Sequence, residues 1–94
     1  MRATMLYMII EEFRDGDPVP VYRRLRGLGR QLPDGLNYVT SWVTTDLKRC
    51  YQVMACEDRR SLDEWMSRWG DLVKFEVVSV MESSEAAAQV ADRL

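Results

Sequence analysis

A chain of 94 residues that is 47% hydrophobic, with thirteen basic against fifteen acidic side chains, has the composition of one small globular domain and not of a disordered segment. Its formal charge of -2 supplies no drive toward nucleic acid or an anionic membrane, so neither is expected as a partner. With no histidine and two cysteines, the chain cannot by itself assemble a histidine-ligated haem or a serine–histidine hydrolase and lacks the usual ligands of a zinc centre. Carboxylate sites for hard metals stay open, though nothing resembles a calcium loop, and no cofactor or metal is expected.

The longest apolar run, "MLYMII" from Met5, is far too short to span a bilayer, and the start lacks the basic region, apolar core and cleavage site of a secretory signal. A cytoplasmic location is the expectation.

In chain order, Met5 to Phe13 is apolar, β-branched or aromatic and ends at "RDGDP", which reads as a strand closed by a turn. Asp17 is placed to cap a helix, with Pro18 and Pro20 in its first turn, where a missing amide hydrogen breaks no internal bond. Val21, Leu25, Leu28 and Leu32 recur at helical spacing, Arg23, Arg26 and Arg30 form a basic stripe along another side, and "PDG" from Pro33 ends the pattern. Leu36 to Thr44 and Arg49 to Glu57 are two strands joined by the short turn "TDLK". A second helix carries Leu62, Trp65, Met66 and Trp69 on one face behind a capping box of Ser61 and Glu64, and Gly70 is placed to stop it. "KFEVVSVME" from Lys74 alternates as a last strand, and Ser84 is placed to cap a tail helix bearing Ala87, Val90, Ala91 and Leu94.

This order, strand, helix, strand, strand, helix, strand, predicts an α+β ferredoxin-like sandwich, a βαββαβ fold with a four-stranded antiparallel sheet and an added C-terminal helix. The expected organisation is a single domain over 1–94, with its core at 5–82 and a helical tail at 83–94. In the first strand Met5, Tyr7 and Ile9 point one way and Leu6, Met8 and Ile10 the other. Both faces are therefore apolar, whereas a sheet with one wet face alternates apolar and polar residues. A second copy of the chain is the expected cover, since closed twofold association is the commonest oligomeric arrangement.

Gly16-Asp17-Pro18, Ser41-Trp42, Arg49-Cys50-Tyr51-Gln52 and the pattern "DEW…RW.DLV.FEVVPV", in which this chain has Ser79 for the proline, carry a resemblance as well. Over roughly Met5 to Glu82 the chain resembles an uncharacterised family of short bacterial domains of unknown function. The resemblance implies a dimeric α/β-barrel, two ferredoxin-like sheets facing each other as a homodimer. It implies no activity, because the wider superfamily spans cofactor-free monooxygenases, haem enzymes, lactone isomerases and ligand-binding regulators.

If Thr44 pairs with Arg49, then Trp42 opposes Tyr51, Val43 opposes Cys50, Ser41 opposes Gln52 and Val39 opposes Met54. Cys50 and Cys56 then share a face about 20 Å apart at ~3.3 Å per residue, too far for a disulfide. Both read as small buried hydrophobes; a nucleophilic Cys50 is the sharper alternative. Trp42 with Tyr51, and Ser41 with Asn37 and Gln52, are rival linings for a small-molecule pocket, because they lie on opposite faces. Trp65 and Trp69 read as core or as a stack for a planar ligand. The arginine stripe reads as a solvated helix face, with attraction of an anionic ligand or an acidic partner surface as the sharper alternative, and the pairs Glu11-Glu12 and Asp63-Glu64 read as blandly.

The candidate ligand-binding set is therefore Asn37, Tyr38, Ser41, Trp42, Gln52, Trp65 and Trp69. The leading functional expectation is a small binding or regulatory module with an apolar cavity for a hydrophobic small molecule, with no catalysis implied. One alternative is a cofactor-independent monooxygenase or isomerase in which Tyr38, Trp42, Asn37 and Gln52 position the substrate or handle protons. The other is a structural dimer that presents a surface to a protein partner.

Overall fold

The computed structural model describes residues 3–94. Its elements run β1 (Met5–Phe13), α1 (Val19–Leu28), β2 (Leu36–Val43), β3 (Arg49–Cys56), α2 (Arg59–Trp69), β4 (Val73–Val80) and α3 (Ser83–Val90). All paired strands are antiparallel, in the order β2-β3-β1-β4. Each half contributes a strand, a helix and a strand, and the central pair β1 and β3 comes one from each half, which is the ferredoxin-like arrangement.

Cross-strand pairing sorts the side chains into two faces. Tyr7, Ile9, Glu11 and Phe13 of β1 lie beside Met54, Gln52 and Cys50 of β3 and beside Val77, Phe75 and Val73 of β4. These residues form the helix-covered face, and Leu62, Trp65 and Trp69 of α2 close over it, each at most 4% exposed. The opposite face carries Leu6, Met8 and Ile10 beside Val53 and Tyr51 on one side and Val80 and Val78 on the other. On that face Val78 is 42% exposed, and Trp42 at its edge is 56% exposed.

Three local expectations change. Val43, Trp42 and Ser41 pair with Cys50, Tyr51 and Gln52 as the turn geometry predicts, but a bulge at Val39 shifts the ladder, so that Met54 pairs with Tyr38 instead of Val39. A bulge exchanges the faces of all residues beyond it. Tyr38 therefore joins the covered side, while Asn37, paired with Ala55, falls on the open one. The α2 cap is Asp58, whose carboxylate accepts from the Arg60 amide, so the helix starts ahead of the Ser61-Glu64 box; Ser61 instead donates its hydroxyl to the Asp58 carbonyl.

The third change is the end of α1. It stops at Leu28, not Leu32, because Gly29 adopts φ 68, ψ -163, a region essentially reserved to glycine. Leu28 is consequently 67% exposed, whereas Leu32 packs against the core from the following loop. No residue of α1 is fully buried. What ties it to the neighbouring helix is polar: both guanidinium amines of Arg24 donate to the Asp71 carboxylate at 2.8 and 2.6 Å, and Nη1 also donates to the Arg68 carbonyl. α3 likewise buries none of its side chains, and Leu94 beyond it is 99% exposed.

The two glycines at this end of α1 are expected to respond oppositely to alanine. Gly29→Ala places a Cβ in a forbidden backbone region and should cost roughly 1–3 kcal/mol in urea denaturation. Gly27→Ala, in the last turn of the helix with nothing within 4 Å of its new Cβ, should stabilise by roughly 0.5–1 kcal/mol.

Candidate functional site

A half-open cavity of about 90 Å³ lies between α1 and the covered face of the sheet. Its apolar wall is Phe13, Val21, Leu25, Val43, Trp65 and Trp69. Its polar groups are Glu11, Tyr22, Arg30, Ser41, Cys50 and Gln52. Pockets for drug-sized ligands run to roughly 300–1,000 Å³, so this one suits a molecule of few heavy atoms, or the end of a larger one. Two larger depressions, about 510 and 570 Å³, lie open on the surface, one against α1 and one beside the Arg14–Gly16 turn.

Arg30 reaches the cavity through a fixed loop. The indole Nε1 groups of Trp65 and Trp69, one helical turn apart on α2, both donate to the Arg30 carbonyl oxygen at 3.0 Å. The next carbonyl, of Gln31, accepts from Arg68 Nη1 at 2.7 Å, and Gln31 itself holds a left-handed backbone with φ 58. So held, the Arg30 side chain leaves the stripe of the exposed Arg23 and Arg26. Its guanidinium stacks 3.7 Å above the Tyr38 ring, and Nη1 donates to Gln52 Oε1 at 2.8 Å. The Tyr38 hydroxyl in turn shares a hydrogen bond of 2.7 Å with Ser41 Oγ.

Glu11 occupies an inward position in the middle of the sheet, between Cys50 of β3 and Phe75 of β4, and is 8% exposed. Burial among apolar groups disfavours its charged form and raises the carboxyl from 4.5 to about 7, against the opposing pull of a hydrogen bond from Cys50 and the positive charge of Arg30. The Cys50 thiol is pushed up to about 12, first by burial and then by the neighbouring Glu11. A thiol so far from ionisation is a poor nucleophile, which leaves the packing reading of Cys50 standing. Both cysteines are buried and free. Among the described residues, no group of three or more acidic or cysteine side chains is arranged to hold a metal ion.

Of the residues singled out from sequence, Ser41, Gln52, Trp65 and Trp69 line the cavity, and Tyr38 adjoins it through Arg30 and Ser41. Trp42 and Asn37 do not: Trp42 faces Tyr51 on the open side, and the bulge puts Asn37 there too. The two groups with most chemistry, Glu11 and Arg30, are not the surface charges that the sequence pattern suggests. A signal for Glu11 was present, since it interrupts the inward row Met5, Tyr7, Ile9, Phe13 with an acid. No local pattern marks Arg30, which lies beyond the end of α1 at Leu28 although the helical spacing of the leucines runs past it.

A profile of the family described as "Domain of unknown function (DUF3303)" matches residues 5–94. The chain belongs to this family. No curated protein matches it. Among solved structures, "Structure of Rv0793 from Mycobacterium tuberculosis" is 14% identical, with a TM-score of 0.51 over 86% of this chain and 98% of that one. "Crystal structure of MupZ from Pseudomonas fluorescens" is 16% identical, with a TM-score of 0.47 over 99% of this chain and 81% of that one. At such identities the first likeness speaks to the shared fold. Among the described residues, no helix is long and apolar enough to cross a membrane.

The buried acid makes stability depend on pH with a definite sign. The folded carboxyl near 7 holds its proton more tightly than the unfolded one near 4.5, so stability is undiminished below the lower value and falls as pH rises toward the higher. The loss amounts to about 3 kcal/mol at ~1.4 kcal/mol per unit. Denaturation from pH 4.5 to 8 should show this fall in the wild type and a much flatter profile in Glu11→Gln.

Proposed function

We propose that this protein is a binding or regulatory module that receives a small, mainly apolar molecule in the cavity beneath α1. The observation that carries this reading is the convergence of Glu11, Arg30 and Gln52 on one side of a half-open space walled mainly by apolar side chains. Binding sites for small molecules have this make-up, apolar surface for affinity and a few fixed polar groups for orientation. Tyr38, Ser41, Gln52, Trp65 and Trp69 are its proposed ligand contacts or their immediate supports.

The open face is assigned to self-association as a homodimer, with Trp42 and Asn37 in or beside the contact. Leu6, Met8, Ile10, Val53 and Val78 stand where a solvated sheet would carry polar side chains. A cytoplasmic setting suits the two unpaired cysteines.

A second reading, proton transfer on a small hydrophobic substrate, is favoured by one observation: a buried carboxyl poised near 7 beside the cavity. In that role Glu11 takes the proton and Arg30 faces the developing negative charge. Turnover should then rise with the ionised fraction of Glu11 and be lost in Glu11→Gln.

Trp42→Phe leaves Trp65 and Trp69 as the only tryptophans of three, both on the cavity wall. Titration of that variant with toluene, cyclohexanol and short-chain acids should give a saturable change in emission with at least one of them, and no response across the panel would sink the binding reading. Sedimentation should find the wild type dimeric at micromolar concentration and Val78→Lys monomeric. A monomeric wild type would remove the self-association.

A further inference from the structure

Arg30 differs from the four ion-paired arginines in what it is paired with. Arg24, Arg59, Arg60 and Arg68 each hold a carboxylate within 3.1 Å. All four are surface pairs. Arg30 lines the cavity, yet its side chain is paired with the neutral amide of Gln52 and the face of Tyr38. Among the described residues no carboxylate lies within ion-pair distance of it. A guanidinium presents five donors in a planar fork, and stacking with a single bond to Gln52 leaves most of that fork uncommitted.

The cation is also fixed. Two indole donors hold its backbone carbonyl, Arg68 holds the next one, and the Tyr38 ring lies flat beneath the guanidinium. Such preorganisation lowers the cost of ordering the group on binding. The one acid on the cavity wall is Glu11, placed where its carboxyl hydrogen, when present, is available as a donor to the same space.

We propose that the cavity takes a small organic monoanion, a carboxylate or enolate on an apolar body, with its charge against the Arg30 guanidinium and a second oxygen accepting from the protonated Glu11 carboxyl. The apolar body lies against Trp65, Trp69 and Leu25. This rests on the reading of the cavity as a binding site and adds the charge of what it binds. Binding is then linked to protonation: ionised Glu11 repels the anion and competes for Arg30, so affinity falls as Glu11 loses its proton near pH 7. The groups that face Glu11 do not blur this window. Cys50 from β3 is pushed up to about 12, Tyr22 from α1 is raised above its ordinary value by burial, and Phe75 from β4 and the two tryptophans from α2 carry no charge.

The test compares benzoate with its uncharged isostere benzamide, and isovalerate with isovaleramide, by emission of the Trp42→Phe protein between pH 6 and 8.5, where neither acid titrates. At pH 6 the anion of a pair should bind at least tenfold more tightly than the amide, and by pH 8.5 it should weaken about tenfold per unit above the Glu11 midpoint. Arg30→Gln should abolish the preference for the anion, with thermal denaturation confirming that it is folded. Glu11→Gln, which keeps a donor but has no proton to lose there, should flatten the pH profile. Amides that bind as tightly as their acids would overturn the charge inference and leave the binding reading intact. Failure of all four probes, together with the panel of toluene, cyclohexanol and short-chain acids, would overturn both. Anion binding that is unchanged in Arg30→Gln would place the anion elsewhere and overturn the assignment.

Discussion

One backbone carbonyl organises the covered side of this protein. The oxygen of Arg30 has two lone pairs, and α2 supplies two donors for them, Trp65 and Trp69, each at 3.0 Å. Residues four apart on a helix stand one above the other, so two indoles from one stripe can meet a single acceptor. Buried indole N–H groups need partners, and here the same bonds that satisfy them pin the loop leaving α1 to the helix across from it. The loop accepts this only with Gly29 at φ 68 and Gln31 at φ 58. The side chain of Arg30 is thereby turned inward, toward Gln52 and Tyr38, and the cavity acquires its cation.

Where a structural feature depends on neighbours in sequence, it was legible. Alternation in β1 announced two apolar faces; the spacing of Leu62, Trp65 and Trp69 announced the buried side of α2; the short turn after Val43 set the pairing of Trp42, Val43 and Ser41. Features that depend on contacts across the fold were not. Leu28 and Leu32 continue a helical period, and only the backbone of Gly29, pulled into place by contacts from α2, separates an exposed Leu28 from a packed Leu32. The bulge at Val39 has no marker of its own, yet it decides that Tyr38, not Asn37, stands near Arg30. Glu11 was visible as an acid in an apolar row, but its meaning comes from Cys50, Phe75 and Arg30, which come from three separate stretches of chain.

The two faces of the sheet divide the chemistry cleanly. On the covered face, a charge and an acid are embedded among apolar side chains, and the positive charge of Arg30 opposes the upward pull of burial on the Glu11 carboxyl. The open face has a different character, a broad apolar surface flanked at one end by Glu12, Arg49, Lys74 and Glu76. Alternate residues of the same strands serve the two surfaces, so substitutions at neighbouring positions act on separate properties. Trp42 and Ser41 are adjacent in sequence and belong to different problems.

The sparse anchoring of α1 gives the cavity a further property. A helix that buries no side chain completely and leans on Arg24 and Asp71 has little to lose on opening, and segments of that kind exchange their amide hydrogens through local excursions far below the cost of global unfolding. Any molecule lodged beneath it adds to the packing of Val21 and Leu25, which are only partly buried against the core. Occupancy would then be registered as order in α1 while the sheet stays still, and the outward surface of that helix, with Arg23 and Arg26 exposed upon it, would carry the news of a filled cavity to the outside of the protein.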